Sequence, residues 1–78
     1  MDTKLEGKIL VVTGTLEGFS RNEIADYIKF HGGKMSESVS ANTDFLVVGD
    51  KPGASKLGKA VDFGTKVIDL YVLIGMCE

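Results

Sequence analysis

The sequence predicts an α/β fold: a parallel sheet with helices on both faces, in the order strand, helix, strand, strand, helix, strand, helix. Two observations lead there. Short apolar runs rich in β-branched residues occur at 8–13 (KILVVT), 45–48 (FLVV) and 66–69 (KVID), and a run without polar alternation suits a strand buried on both faces. Between the runs stand helix start and stop signals, and buried strands joined by helical crossovers make parallel sheets.

The first strand covers 8–13. A helix follows at Ser20-Arg21-Asn22-Glu23, which reads as a capping box: the serine oxygen accepts from the Glu23 N–H and the glutamate reaches back to the Ser20 N–H. Phe19 and Ile24 are placed as a hydrophobic staple. Ile24, Ala25 and Ile28 form the stripe expected to be buried, and Gly32-Gly33 ends the helix. MetSerGluSerVal at 35–39 is a weaker, more exposed strand, and 45–48 a strongly apolar one. The loop at Pro52-Gly53 leads into a second helix from Ser55 or Lys56 to about Phe63, with Leu57, Ala60 and Val61 on one face and Gly64 at its C-terminal end. After the strand at 66–69, Asp69 can cap a third helix that carries Val72, Leu73 and Met76 inward. That helix has few polar residues, which predicts heavy burial.

At 78 residues the chain suits one small domain, close to the lower size at which an apolar core suffices without staples. The expected domain spans 1–78, with its core at about 5–77. A content of 44% hydrophobic and 26% charged residues is ordinary for a globular protein. No run is long and apolar enough to span a bilayer, so a soluble protein with no membrane partner is expected. Cys77 is the one cysteine, which excludes a disulfide framework and a Cys/His metal site and favours a reducing, intracellular setting. The formal net charge of −2 lacks the excess of Lys and Arg that non-specific nucleic-acid binders show, so any such role rests on a local cation cluster.

The stretch ILVVTGTLEGFSRNE (9–23) ends an apolar run at Thr13-Gly14 and reaches a helix start at Ser20. Glycines in that position either hold phosphate or simply turn the chain. Two nucleotide motifs fail. A P-loop needs Lys-Ser/Thr after its second glycine, and Gly18 is followed by Phe19-Ser20. A Rossmann turn needs GxGxxG, whereas three residues separate Gly14 from Gly18. No catalytic set emerges either. His31, the one histidine, falls at the end of the first helix and reads as a surface or helix-dipole residue. Cys77 reads as a buried, inert thiol, and the carboxylates are unpaired. The chain is not expected to be an enzyme, and no metal or cofactor is implied.

Phosphate-suited donors do gather at element ends. Thr13 offers a hydroxyl, Gly14 an unobstructed backbone N–H, and Lys56 a cation in the first turn of the second helix. In a parallel sheet, strand C-termini and the N-termini of the following helices share one edge. A lysine in a helix's first turn opposes the macrodipole by about 0.3–1 kcal/mol, and such local misfits mark functional sites. The alternative is a solvated lysine that tolerates the penalty. Arg21 repeats the misfit in the first helix, and Lys59 lies three residues beyond Lys56 on one helix face.

The blocks LEGKILVVTGTL (5–16), SRNE (20–23), GGK (32–34), SESVSANTDFLVVG (36–49), SKLGKA (55–60) and GTKVID (64–69), in that order, closely resemble a BRCT domain. The resemblance covers about 5–77, and it is strongest to the class at the C-terminus of bacterial NAD-dependent DNA ligases and in the large subunit of eukaryotic replication factor C. It implies a four-stranded parallel sheet flanked by three helices, βαββαβα, and binding without catalysis. It also implies that Thr13, Gly14 and Lys56 hold a phosphate, with Arg21 and Lys59 at further basic positions. One departure is the missing tryptophan: the chain has none, and Tyr71 and Val72 occupy that region, as is common in this class.

The resemblance thus implies a module that reads the 5′-phosphate of a duplex DNA end or nick, in a replication or repair protein such as an NAD-dependent DNA ligase. The other reading is a protein-interaction module that binds a phosphopeptide or a second copy of itself, as a monomer or weak homodimer. Either places the chain inside the cell, in the cytoplasm or nucleoid of a bacterium or the nucleus of a eukaryote.

Overall fold

A computed structural model describes residues 4–78, so the first three residues of the expected 1–78 domain lie outside the described residues. Strands β1 (Ile9–Thr13), β2 (Lys34–Ser36), β3 (Phe45–Val48) and β4 (Lys66–Asp69) form one sheet. They run in the order β2-β1-β3-β4, and every neighbouring pair is parallel. Helices α1 (Arg21–Phe30), α2 (Ala54–Phe63) and α3 (Leu70–Cys77) provide the crossovers and the final element. The expected βαββαβα order is therefore found.

Alternation along the two central strands sorts the helices onto the faces. Leu10, Val12 and Val47 point to one side, where they meet Ile24 and Ile28 of α1 and Leu73 and Cys77 of α3. Val11 and Leu46 point to the other, where Val39 and Ala60 cover them and Leu57 packs alongside. One face is thus covered by two helices, and the other by α2 alone.

The first helix forms as its local signals require. Ser20 Oγ accepts from the Glu23 N–H at 3.1 Å while the Ser20 N–H donates to Glu23 Oε1 at 2.9 Å. Phe19 packs on the core beside Ile24. At the far end Gly32 takes φ +88°, and its N–H donates to the Lys29 carbonyl at 3.0 Å, closing the helix in the left-handed conformation that glycine adopts without strain. The third helix starts as expected too, with the Val72 N–H donating to Asp69 Oδ1 at 2.8 Å.

Four expectations need correction. The second strand, an edge strand paired with β1 alone, stops at Ser36, where that pairing ends. Val39, expected in that strand, instead sits buried in the α2-side core. Val61 is 80% exposed: α2 meets the sheet through Ala60, with Leu57 packed alongside, and Val61 lies off that contact. Val72 is 47% and Tyr71 84% exposed, so α3 buries one side only and is not heavily buried. His31 is buried rather than at the surface. The Leu5 N–H donates to the His31 carbonyl, which docks the N-terminal segment over it, and the Tyr27 and Phe30 rings approach its imidazole edge-on. Cys77 is buried, as expected.

Candidate functional site

Everything assembled at the C-terminal edge of the sheet depends on how β1 ends. Gly14 has φ +83°, and a Cβ there would lie 2.7 Å from the Asp50 carbonyl oxygen. Both facts call for glycine: the backbone is left-handed, and the chain after β3 passes too close for a side chain. That close pass is fixed by two hydrogen bonds, Thr15 N–H to the Asp50 carbonyl at 2.9 Å and Asp50 N–H to the Thr15 carbonyl at 2.8 Å. Gly18 also has a positive φ, yet a Cβ there would meet nothing within 4 Å, so it serves the turn alone. The two glycines of the 9–23 stretch therefore differ in kind.

Thr13 is the buried link between the two halves of the edge. Its Oγ1 accepts from the Gly53 N–H at 2.9 Å, across forty residues of sequence. Gly53 is the N-cap of α2, with no side-chain cap hydrogen bond and no acidic residue in the first turn. The helix therefore starts at Ala54, one or two residues before the expected Ser55 or Lys56, and Gly53 is its cap rather than part of the loop. The signal that could have found the cap was the glycine itself, since glycine is tolerated there while supplying no side-chain oxygen. The first turn of α2 thereby starts against the end of β1, with backbone N–H groups that no side chain caps.

Lys56 lies in that first turn, at the third helical position, and is half-buried. Lys59 is one turn farther along, exposed. Arg21 is the first residue of α1 and reaches the site by another route: with Gly14, Thr15 and Ser20 it lines a cleft of about 250 Å³. The structure thus joins Thr13 to the start of α2 and Gly14 to Arg21, whereas Lys56 and Lys59 do not line that cleft. Thr13 is 5% exposed as a residue, and its hydroxyl is the group that meets α2. Having accepted from Gly53, it keeps its own proton to donate.

The neighbouring cap shapes the electrostatics of the Arg21 side. Glu23 is held below the ordinary carboxylate pKa of 4.5, chiefly by the Ser20 backbone N–H and then by the Ser20 side chain. Its negative charge sits at the N-terminus of α1, where the helix dipole favours it. The first turn of α2 has a lysine where α1 has a glutamate, so the third helical positions of the two starts carry opposite sign, while Arg21 at the first position of α1 sets a cation beside Glu23.

Comparison with known proteins agrees with this architecture. The model of the BRCA1 C Terminus (BRCT) domain matches residues 2–70. The chain belongs to the BRCT family. This BRCT domain is 50% identical over 74 residues to a DNA ligase of Roseiflexus sp. (strain RS-1), covering 91% of the chain and 10% of the ligase. It is also 50% identical to the DNA ligase of Aquifex aeolicus, over 95% of the chain and 10% of the ligase. The chain thus spans about a tenth of the length of these curated relatives. Among solved structures, the C-terminal BRCT domain of human XRCC1 aligns with a TM-score of 0.75 over 95% of this chain and 78% of that one. At 15% identity that likeness concerns the fold. Among the described residues no helix is long and apolar enough to cross a membrane, and no cluster of His, Cys, Asp and Glu could hold a metal.

Proposed function

We propose that this BRCT domain is a non-catalytic module that reads the 5′-phosphate of a duplex DNA end or nick, within a larger protein similar to DNA ligases. The observation that carries the reading is the Thr13 Oγ1 to Gly53 N–H hydrogen bond. It ties the strand-end hydroxyl and the Gly14 turn to an uncapped helix start that carries a lysine. A phosphate there receives the Gly14 N–H and the Thr13 hydroxyl proton, and Lys56 neutralises it as a point charge. Arg21 and Lys59 hold flanking backbone phosphates, which set register without reading sequence. On this reading the module is one domain over about 5–77, works inside the cell, and leaves the chemistry to other parts of its protein.

The test is fluorescence anisotropy with two duplexes that differ only in the 5′-phosphate. The phosphorylated duplex binds more tightly, and Lys56→Ala removes that preference, a loss of roughly tenfold or more for one charge-assisted contact. Equal affinity for the two duplexes, or an unaltered preference in Lys56→Ala, refutes it. Few phosphates are engaged, so affinity falls with salt by about one log unit per contact for each tenfold rise in salt.

A second reading, self-association or a protein partner, draws support from the exposed apolar side chains Val61 and Tyr71. A phosphoserine peptide in place of the duplex, and sedimentation velocity across a concentration series, separate it from the first.

A further inference from the structure

We propose that a groove on the α3 side of the same sheet edge docks a protein segment in which lysine or arginine flanks a large apolar side chain. The groove encloses about 390 Å³, enough for one or two apolar side chains and within the size range of ligand pockets. The loop after β1, the start of the loop after β3, and the first turns of α3 form it. Its floor is Leu16, Phe19, Leu70 and Ile74. Tyr71 borders it and is 84% exposed, so a large aromatic side chain stands in water beside an apolar floor. Aromatic residues in that situation are the usual anchors of protein interfaces.

The border carries one sign of charge. Glu17, Asp50 and Asp69 all line the groove, and no cation pairs with them among the described residues. Asp69 uses one oxygen to cap α3, which leaves the other for a partner. Three carboxylates around an apolar floor select a cationic, apolar occupant and exclude nucleic acid, whose phosphates they repel. The groove and the phosphate site therefore take chemically opposite ligands on two sides of one loop. Asp50 divides them: its carbonyl closes over Gly14, and the same residue lines the groove.

The walls are fixed before any partner arrives. The paired Thr15 and Asp50 hydrogen bonds hold two of them, and the Asp69 cap holds the third. A preformed site loses less entropy on binding than one that must order.

Amide chemical shifts of the labelled chain, followed with three synthetic hexapeptides, test the proposal. KRLFKR is expected to shift the amides at 15–19 and 69–74, while its charge reversal EDLFDE and the apolar deletion KRSSKR leave them in place. The double substitution Glu17→Gln with Asp50→Asn, and separately Tyr71→Ala, are expected to weaken KRLFKR binding at least fivefold. All three side chains are exposed, so both variants keep the fold. Equal shifts with EDLFDE, no shift with any peptide, or groove shifts that follow protein concentration alone, which would make a second copy the occupant, overturn the proposal. Lys56→Ala is expected to leave peptide binding intact, so failure of the phosphate reading and failure of this one are seen separately.

Discussion

Helices α1 and α2 are each ten residues long and each begin at the C-terminal edge of the sheet, yet they are built to opposite ends. Both bonds of a capping box close the start of α1, an acid lies in its first turn, and Ile24 and Ile28 are buried. The start of α2 is a bare glycine, its first turn holds a lysine, and Ala60 is its one buried residue. The difference separates two demands on one edge. A helix that supplies its own anion at its N-terminus contributes stability, whereas one that leaves its N–H groups uncapped is positioned to receive an anion from outside.

The largest expected contrast is in packing. Ile28→Ala leaves a cavity in the core between α1 and the sheet, and urea denaturation is expected to show a loss of about 2–5 kcal/mol. Val61→Ala on the solvent side of α2 is expected to fall within about 0.5 kcal/mol of the parent. A substantial loss at Val61 would mean that α2 is held as firmly as α1.

Gly14→Ala comes next. It combines a left-handed backbone with a 2.7 Å approach to the Asp50 carbonyl, and about 1–3 kcal/mol of destabilisation is expected together with weaker duplex binding. Ser20→Ala removes the α1 cap at a cost of about 1 kcal/mol. Its counterpart at α2, Gly53→Asp, brings a Cβ to 3.3 Å from Thr13 Oγ1, so it is expected to cost up to about 1 kcal/mol while abolishing phosphate selectivity, because a carboxylate at the N-cap competes with the ligand. Selectivity that survives Gly53→Asp would show that the start of α2 is not the receiving end.

The smallest effect is the pH dependence of the α1 cap. The folded pKa of Glu23 is depressed by its hydrogen bonds to Ser20. Its contribution to stability is therefore full above the ordinary value of 4.5 and is lost as pH falls through the lower folded value. An NMR titration of the Glu23 side chain should show the depressed midpoint in the parent and its return towards the ordinary value in Ser20→Ala.

The same contrast explains what could be read from the sequence. The start of α1 was legible because Ser20, Glu23 and Phe19 act on one another within a few residues. The start of α2 was not, because its cap is held by a hydroxyl forty residues away. The strands follow from their apolar runs, but the outward turn of Val61 and Val72 depends on how each helix seats on the sheet, which no local pattern encodes. Burial of His31 likewise waits on the docking of Leu5. For the proposed site, the placing of Thr13, Gly14 and the start of α2 on one edge follows from the geometry of a parallel sheet. Gly53, which joins them, and the acidic groove beside them emerge only when the loops are folded together.

Whether the end of β1 and the start of α2 form one phosphate-receiving unit is tested most directly by chemical-shift mapping with a 5′-phosphorylated duplex. The amides of Gly14, Ala54, Ser55 and Lys56 are expected to shift with the phosphorylated duplex and to stay in place with its unphosphorylated twin. The same shifts from both duplexes, or shifts confined to residues away from these two element ends, would contradict it.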